Sequence, residues 1–260
     1  MIWYLLTDGP ADAGTNMARD SALLDLAAER GIGFVRTYRW EPFALSFGAN
    51  EPASKRYDRA AITKRGIPVV RRPTGGRAVW HAEELTYAVA APEGTLGSLA
   101  QSYRAIHELL LEALSSLSPS RPLALSLADS PPRPLAVDSG ACFASPVGGE
   151  LTSQLGKIVG SAQVRERGAF LQHGSILLGN RQELVAELTL GTPPAVEAAS
   201  LADLLGRPLS PEAVAAAVAS SATRRLGALV APDRALAEAI DVRTAMHMAR
   251  FKDDAWTWRR

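Results

Sequence analysis

The chain has 260 residues and 27.6 kDa, with 47% hydrophobic and 21% charged side chains, enough to bury a sizeable core and to exclude dominant disorder. Its 28 basic and 27 acidic residues leave a net charge of +1, which excludes a strong overall field for nucleic acid or membrane. The single cysteine excludes an internal disulfide and a multi-cysteine zinc site.

Met1-Ile2-Trp3-Tyr4-Leu5-Leu6-Thr7-Asp8 lacks a basic leader before its apolar run, so a strand is expected over 1–6 and no secretory signal. Residues 17–30 read as a helix, capped by Thr15-Asn16 and stopped at Gly31. Alternation and β-branched content predict strands near 34–39, 43–48, 67–71 and 85–91. Ser98 and Gln101 form a capping-box pattern ahead of Ile106, Leu109, Leu110, Ala113 and Leu117, which share one helical face. The stretch 118–140 holds five prolines and reads as a long surface loop. Strands are expected at 149–155, 157–163 and 169–178, the first two joined by a tight turn at Gly156 and hence antiparallel. Ser210-Pro211-Glu212 starts a helical region that runs to about Met248.

The expectation is an α/β or α+β fold in one domain over 1–260, with chemistry-bearing motifs in 1–180 and a helical part over 181–260. No run of eighteen apolar residues appears, so no membrane-spanning helix is expected, and a cytoplasmic location suits the free thiol.

The small net charge conceals an imbalance. Arg36 to Arg77 carries ten basic residues against three acids, a net +7, and the remainder sums to −6. Such a segment suits a phosphate group or an acidic protein surface; alternatively Lys55, Arg56, Arg59, Lys64 and Arg65 form a solvated helix face. The P-loop, the dinucleotide-binding GxGxxG, the GxSxG elbow and HExxH are all missing. None of the four histidines has metal-ligand spacing, so no metal site is expected; His107 and His247 read as structural.

Four segments carry chemistry. In Arg71-Arg72-Pro73-Thr74-Gly75-Gly76-Arg77-Ala78-Val79-Trp80-His81, a short strand delivers two arginines to a turn whose glycines let backbone approach a ligand. It is an anion cradle or simply a turn. In Lys157-Ile158-Val159-Gly160-Ser161-Ala162-Gln163, strand periodicity places Lys157, Val159, Ser161 and Gln163 on one side. Lys157 either orients a carbonyl group or is an exposed hairpin lysine. Gln172-His173-Gly174-Ser175 interrupts an apolar strand, as a satisfied core site or as a pocket wall. Cys142, in Ser139-Gly140-Ala141-Cys142-Phe143-Ala144-Ser145-Pro146, is a small buried hydrophobe or a nucleophile activated by a nearby cation such as Lys157.

In this order, and together with Thr15-Asn16-Met17-Ala18, the segments resemble the lipoate–protein ligase A / biotin–lipoate ligase superfamily, in particular its cysteine-dependent octanoyltransferase branch. The resemblance spans roughly the first 180 residues. It implies a mixed, largely antiparallel sheet flanked by helices, with an acyl pocket beside a basic loop. It implies that Cys142 carries the acyl group as a thioester and Lys157 contacts the acyl carbonyl. Arg71, Arg72, Thr74, Gly75, Gly76, Arg77, His81, Gly160, Ser161, Ala162, Gln163, His173 and Gly174 would line the pocket. Three positions depart from the family pattern: Arg77 replaces a third glycine, which favours the transferase branch, Ala82 replaces an aspartate, and Pro146-Val147 replaces a Pro-Ser pair.

The implied donor is acyl carrier protein bearing octanoate, and the implied acceptor is a lysine of a lipoyl-domain protein such as the glycine-cleavage H protein. Thioester exchange is nearly isoenergetic and amide formation runs downhill, so no cofactor is needed. The nearer alternatives are an ATP- and Mg²⁺-dependent lipoate–protein ligase and an amidotransferase between lipoyl-domain proteins. A non-catalytic acyl- or partner-binding relative is the alternative of another class. If the basic 36–77 segment steers an acidic carrier, activity falls with salt.

Overall fold

The computed structural model describes residues 1–120, 122–128, 150–179, 182–192 and 198–259. Cys142, Gly149, Arg121 and residues 129–140 of the proline-rich stretch lie outside them, so the expectations for these positions have no structural counterpart.

β1 (Trp3–Ala11) leads into α1 (Ala13–Arg30), and the chain returns as β2 (Gly33–Trp40), parallel to β1. Asp12 starts the helix by accepting the Thr15 amide at 3.0 Å, and Gly31, at φ 66°, stops it. The expected Thr15-Asn16 cap is thus displaced by three residues. Thr15 supplies an amide, while Asn16 turns inward and donates to the carbonyls of Ala11 and Arg39.

A small sheet follows. Its strands are β3 (Ala44–Phe47), β4 (Val69–Arg71) and β5 (Val79–His81), with β3 central and the short helices α2 (Ala53–Arg56) and α3 (Arg59–Lys64) between β3 and β4 in the chain. β5 was not foreseen, because three consecutive buried residues show no alternation. β6 (Glu84–Pro92) rejoins the main sheet, and α4 (Leu99–Ser115) opens on the expected Ser98–Gln101 capping box.

β7 (Ser126–Leu127), β8 (Leu151–Ser153) and β9 (Gly156–Lys157) form a third, antiparallel sheet; β10 (Val159–Glu166) and β11 (Ala169–Leu177) form a hairpin of the main one. The strand expected over 157–163 is therefore two strands. Lys157 pairs with Thr152 and Val159 with Ile176, and both Ile158 and Val159 are buried where the alternation breaks.

The rest comprises α5 (Glu183–Glu187), α6 (Leu201–Leu205), α7 (Pro211–Leu226), β12 (Leu229–Val230), α8 (Arg234–Lys252) and α9 (Asp254–Thr257). This part was expected to be helical, yet β12 adds a parallel edge strand beside β1.

The main sheet runs β10-β11-β6-β2-β1-β12, antiparallel across its first three pairs and parallel across its last two. That is the mixed, largely antiparallel sheet flanked by helices. One face packs Val35, Val89, Phe170 and Ile176 against Ile106, Leu109 and Leu110 of α4 and Val214 and Val218 of α7. The other packs Phe34, Ala88, Ala90 and Leu171 beneath Met17, Leu23 and Leu26 of α1, with Leu236, Ile240 and Phe251 of α8 in the same cluster. Each such side chain contributes about 1.5–3 kcal/mol through burial. Among the described residues, no helix is long and apolar enough to cross a membrane.

Candidate functional site

On the α1 face, where β10, β11 and β6 lie beside the small sheet, the apolar packing gives way to a narrow cleft of about 340 Å³, counting the solvent-open space at its mouth. Met17, Tyr38, Trp40 and Val79 form its apolar wall. Arg72, His81, Gly160, Ser161, Ala162, His173 and Gly174 also line it, joined by Ser46, Thr86 and Ser175.

The loop from Arg72 to Ala78 is pinned to the end of β3. The Arg72 amide donates to Phe47 O at 2.9 Å and the Ala49 amide to Thr74 O at 2.8 Å. Gly76 takes φ 82°, and a Cβ on Gly48 would lie 1.8 Å from Gly76 O. Both glycines are therefore required by close backbone approach.

The neighbouring arginines diverge. Arg72 donates to Gly75 O at 2.8 Å, Arg77 O at 2.6 Å and Ser46 Oγ at 3.0 Å, closing the loop on itself. Arg71 points away from the cleft and donates to Gly48 O and Glu51 O at 2.8 Å, Thr257 O at 3.0 Å and Arg259 O at 2.7 Å. In return Trp256 Nε1 donates to Arg71 O at 3.1 Å, and the guanidinium groups of Arg250 and Arg259 lie 3.7 and 3.5 Å from its ring centre. Arg71 thus fastens the C-terminal helix to β4, and its expected place in the pocket is corrected.

The basic 36–77 segment is partly internal and partly a solvated helix face. Arg36, Arg71, Arg72 and Arg77 are buried, while Arg56, Arg59 and Arg65 pair with Glu51, Asp254 and Glu187. Lys55 and Lys64 remain exposed on short helices. The surface field expected from a net +7 is correspondingly reduced.

Beneath the loop lies a buried network. Asp20 receives Arg36 Nη1 at 2.6 Å and the Tyr38 hydroxyl at 2.8 Å, and its Oδ2 faces His173 Nδ1 at 2.8 Å. Burial works to raise the Asp20 pKa, but Arg36 and the hydrogen bonds from His173 and Tyr38 outweigh it and hold the carboxylate ionised below its usual range. Burial pushes His173 below the ordinary imidazole value despite Asp20, so the ring is neutral. Its Nδ1 then carries the proton, and Nε2 accepts the Thr74 hydroxyl at 2.6 Å. Gln172 is satisfied in the core, donating to Tyr87 OH and accepting from Gln163. Of the two readings of that polar strand, core applies to Gln172 and cleft wall to His173.

A second chain crosses the floor. His81 lies 2.7 Å from Ser46 Oγ through Nε2 and 2.8 Å from Glu84 Oε1 through Nδ1. Its ring stacks on Trp40 with centroids 3.9 Å apart, and Trp40 donates to Thr86 at 2.7 Å. Beyond this stacked pair opens a larger cavity of about 990 Å³ bordered by Arg39, Phe43, Glu83 and Pro211. Ala82 also lines it.

Lys157, Ser161 and Gln163 engage the α4 side instead. Gln163 donates to Ser102 Oγ at 3.1 Å, and the Ser161 hydroxyl contacts Tyr87 OH at 2.7 Å and His107 Nε2 at 2.9 Å. Gly174 keeps this region open, since a Cβ there would lie 2.7 Å from Ser161 Oγ. Lys157 Nζ sits 2.7 Å from Glu150 Oε2, each side chain 2% exposed. The exposed hairpin lysine is thereby excluded. Burial lowers the His107 pKa to about 4, with Lys157 adding to the effect.

Asp20, Arg36, Glu84 and Glu150 were not singled out in the sequence. Asp20 did leave a signal, as an acid spaced i+3 from Met17 and i−4 from Leu24 on a helical face that should be apolar.

Residues 12–223 match the model of the lipoyl protein ligase A/B catalytic domain, and the chain belongs to that family. Along its length it is 39% identical to octanoyltransferase LipM of Kyrpidia tusciae, covering 99% of both chains. The crystal structure of lipoate-protein ligase A bound with ATP superposes with a TM-score of 0.79 at 19% identity, covering 99% of each chain. A bi-partite lipoate protein ligase from Thermoplasma acidophilum, studied with its E2 lipoyl domain, gives a TM-score of 0.75 at 18% identity over 99% of this chain and 96% of that one. These solved structures confirm the fold.

Proposed function

We propose that this chain is an octanoyltransferase of protein lipoylation that takes octanoyl from acyl carrier protein and passes it to a lysine of a lipoyl-domain protein. The observation that carries the reading is the full-length likeness to octanoyltransferase LipM. The narrow, mostly apolar cleft supports it, as does a lysine buried against a carboxylate near β10.

The Cys142 thiolate attacks the donor thioester carbonyl, forming a new C–S bond as the bond to the carrier breaks, and the departing carrier thiolate takes a proton from the Lys157 ammonium. The acceptor amine then attacks the Cys142 thioester; a C–N bond forms, Cys142 leaves as thiolate, and the amine's surplus proton goes to the Lys157 amine. Lys157 supplies positive charge at the carbonyl and carries that proton. No ATP enters either step. An acceptor such as the H protein fits this chemistry, and the Thermoplasma neighbour's own partner is an E2 lipoyl domain.

The test is intact-mass spectrometry after incubation with octanoyl acyl carrier protein. Because the chain has one cysteine, a thioester adduct has a single place to form. The reading expects an octanoyl adduct that Cys142→Ser abolishes together with transfer. Undiminished transfer by that variant refutes the thioester route. Acceptor labelling that instead requires free lipoate, ATP and Mg²⁺ makes the chain a ligase.

A further inference from the structure

We infer that Glu150 is the positioning residue for Lys157, holding its amine in place for acyl transfer. The inference rests on the proposed function for what Lys157 does, and on geometry for how it is held.

An ammonium group 2% exposed is costly to bury without a counter-charge. Glu150 supplies that charge from the neighbouring strand. Lys157 stands opposite Thr152 in the β8–β9 pairing, and Glu150 lies two residues before Thr152, at a diagonal position on the same face. Glu150 is itself anchored, since the Tyr103 hydroxyl of α4 lies 3.1 Å from its Oε1. The same hydroxyl lies 3.3 Å from Ser161 O on β10, so one α4 side chain joins the ion pair to the strand that forms the cleft wall.

Among the described residues, titratable groups beside Lys157 include Glu150 from β8's leading end, Tyr103 at that carboxylate and His107 from α4. His107 is neutral near physiological pH because burial holds it near 4, so it does not replace the carboxylate's charge.

Glu150→Gln keeps the shape and removes the charge. The Lys157 side chain then loses its fixed position, which the ¹³Cε chemical shift and line width of Lys157 at pH 7.5 read directly, without any substrate. In parallel, the rate of octanoyl-adduct formation should fall roughly 10- to 100-fold at pH 7.5, part of the 10²–10⁴ that a positioned acid–base group supplies. Glu150→Asp should recover part of the rate, and Glu150→Gln should cost nothing further in a Lys157→Ala background.

An unchanged Lys157 ¹³Cε resonance in Glu150→Gln, or an additive loss in the Lys157→Ala background, overturns the inference. A moved resonance with an unchanged rate refutes the role of Lys157 in the proposed mechanism instead. If Glu150→Gln does not fold, Glu150→Asp carries the same comparison, with a smaller shift in the same direction.

Discussion

Nδ1 of His173 lies 2.8 Å from Oδ2 of Asp20, across 153 residues of chain. This contact ties the sheet to α1, and through Nε2 it ties both to Thr74 at the root of the glycine loop. One carboxylate therefore fixes the tautomer of a cleft-wall histidine and the height of the loop above it.

Asp20→Asn removes the charge that balances Arg36 in the core, leaving Asp8 at 2.7 Å as that arginine's other acidic partner. Urea denaturation should show a loss of about 3–5 kcal/mol, the scale for breaking a buried pair from one side. Thr74→Val removes one hydroxyl contact and should cost only about 1 kcal/mol, while octanoyl transfer slows because the loop is released. Equal stability losses in the two variants would contradict the central place given to Asp20.

His107 is neutral in the folded chain, with a pKa lowered by burial to about 4, and His173 is lowered as well. Below the ordinary imidazole value of about 6.5 the unfolded chain binds protons that the folded chain refuses. Stability therefore rises with pH between about 4 and 6.5, and the full contribution of His107 to that rise is roughly 3 kcal/mol. His107→Gln should lose less stability than wild type when urea midpoints at pH 7.5 and pH 5 are compared. Identical pH slopes would show that His107 is not buried neutral.

Gly48→Ala places a methyl group where Gly76 O now sits, 1.8 Å away. The loop must shift, with about 1–3 kcal/mol lost in thermal or chemical melts and transfer impaired. Gly75→Ala is the control. A methyl group at that position would meet nothing within 4 Å, so its stability should stay within about 0.5 kcal/mol of wild type.

Trp40 and His81 separate the 340 Å³ cleft from the 990 Å³ cavity beyond. Trp40→Ala should join the two spaces and raise the ratio of dodecanoyl to octanoyl transfer in competition assays. A ratio unchanged in a folded variant would show that the acyl tail does not approach this wall.

Local chemistry was the most legible part of this chain. The Ser98 capping box, the helix stop at Gly31 and the antiparallel turn at Gly156 between β8 and β9 depend on neighbours in sequence, and the sequence reading placed them correctly or nearly so. The motif residues could be grouped, but not oriented. Arg71 and Arg72 are adjacent, yet one serves the C-terminal helix and the other the loop, and only tertiary contacts decide that. Strand periodicity put Lys157, Ser161 and Gln163 on one side, and all three engage the α4 side, although the chain changes sheets at Ile158. Within the 36–77 segment the solvated helix face holds for Lys55, Arg59, Lys64 and Arg65, which are exposed, but a charge count does not distinguish these from guanidinium groups that solvate backbone carbonyls, as Arg71 does.

The Arg71 fastening has a consequence for the order of assembly. Its bonds to Thr257 and Arg259 span 186 and 188 residues. Contacts of such separation form slowly, after the loop-closure entropy between them has been overcome. The glycine loop, by contrast, is closed by Phe47, Ser46 and its own carbonyls, all within 26 residues of Arg72. The helix that carries Trp256 therefore docks onto β4 after the loop has closed, and a nascent chain halted before Trp256 should hold a formed sheet and loop that lack this clasp.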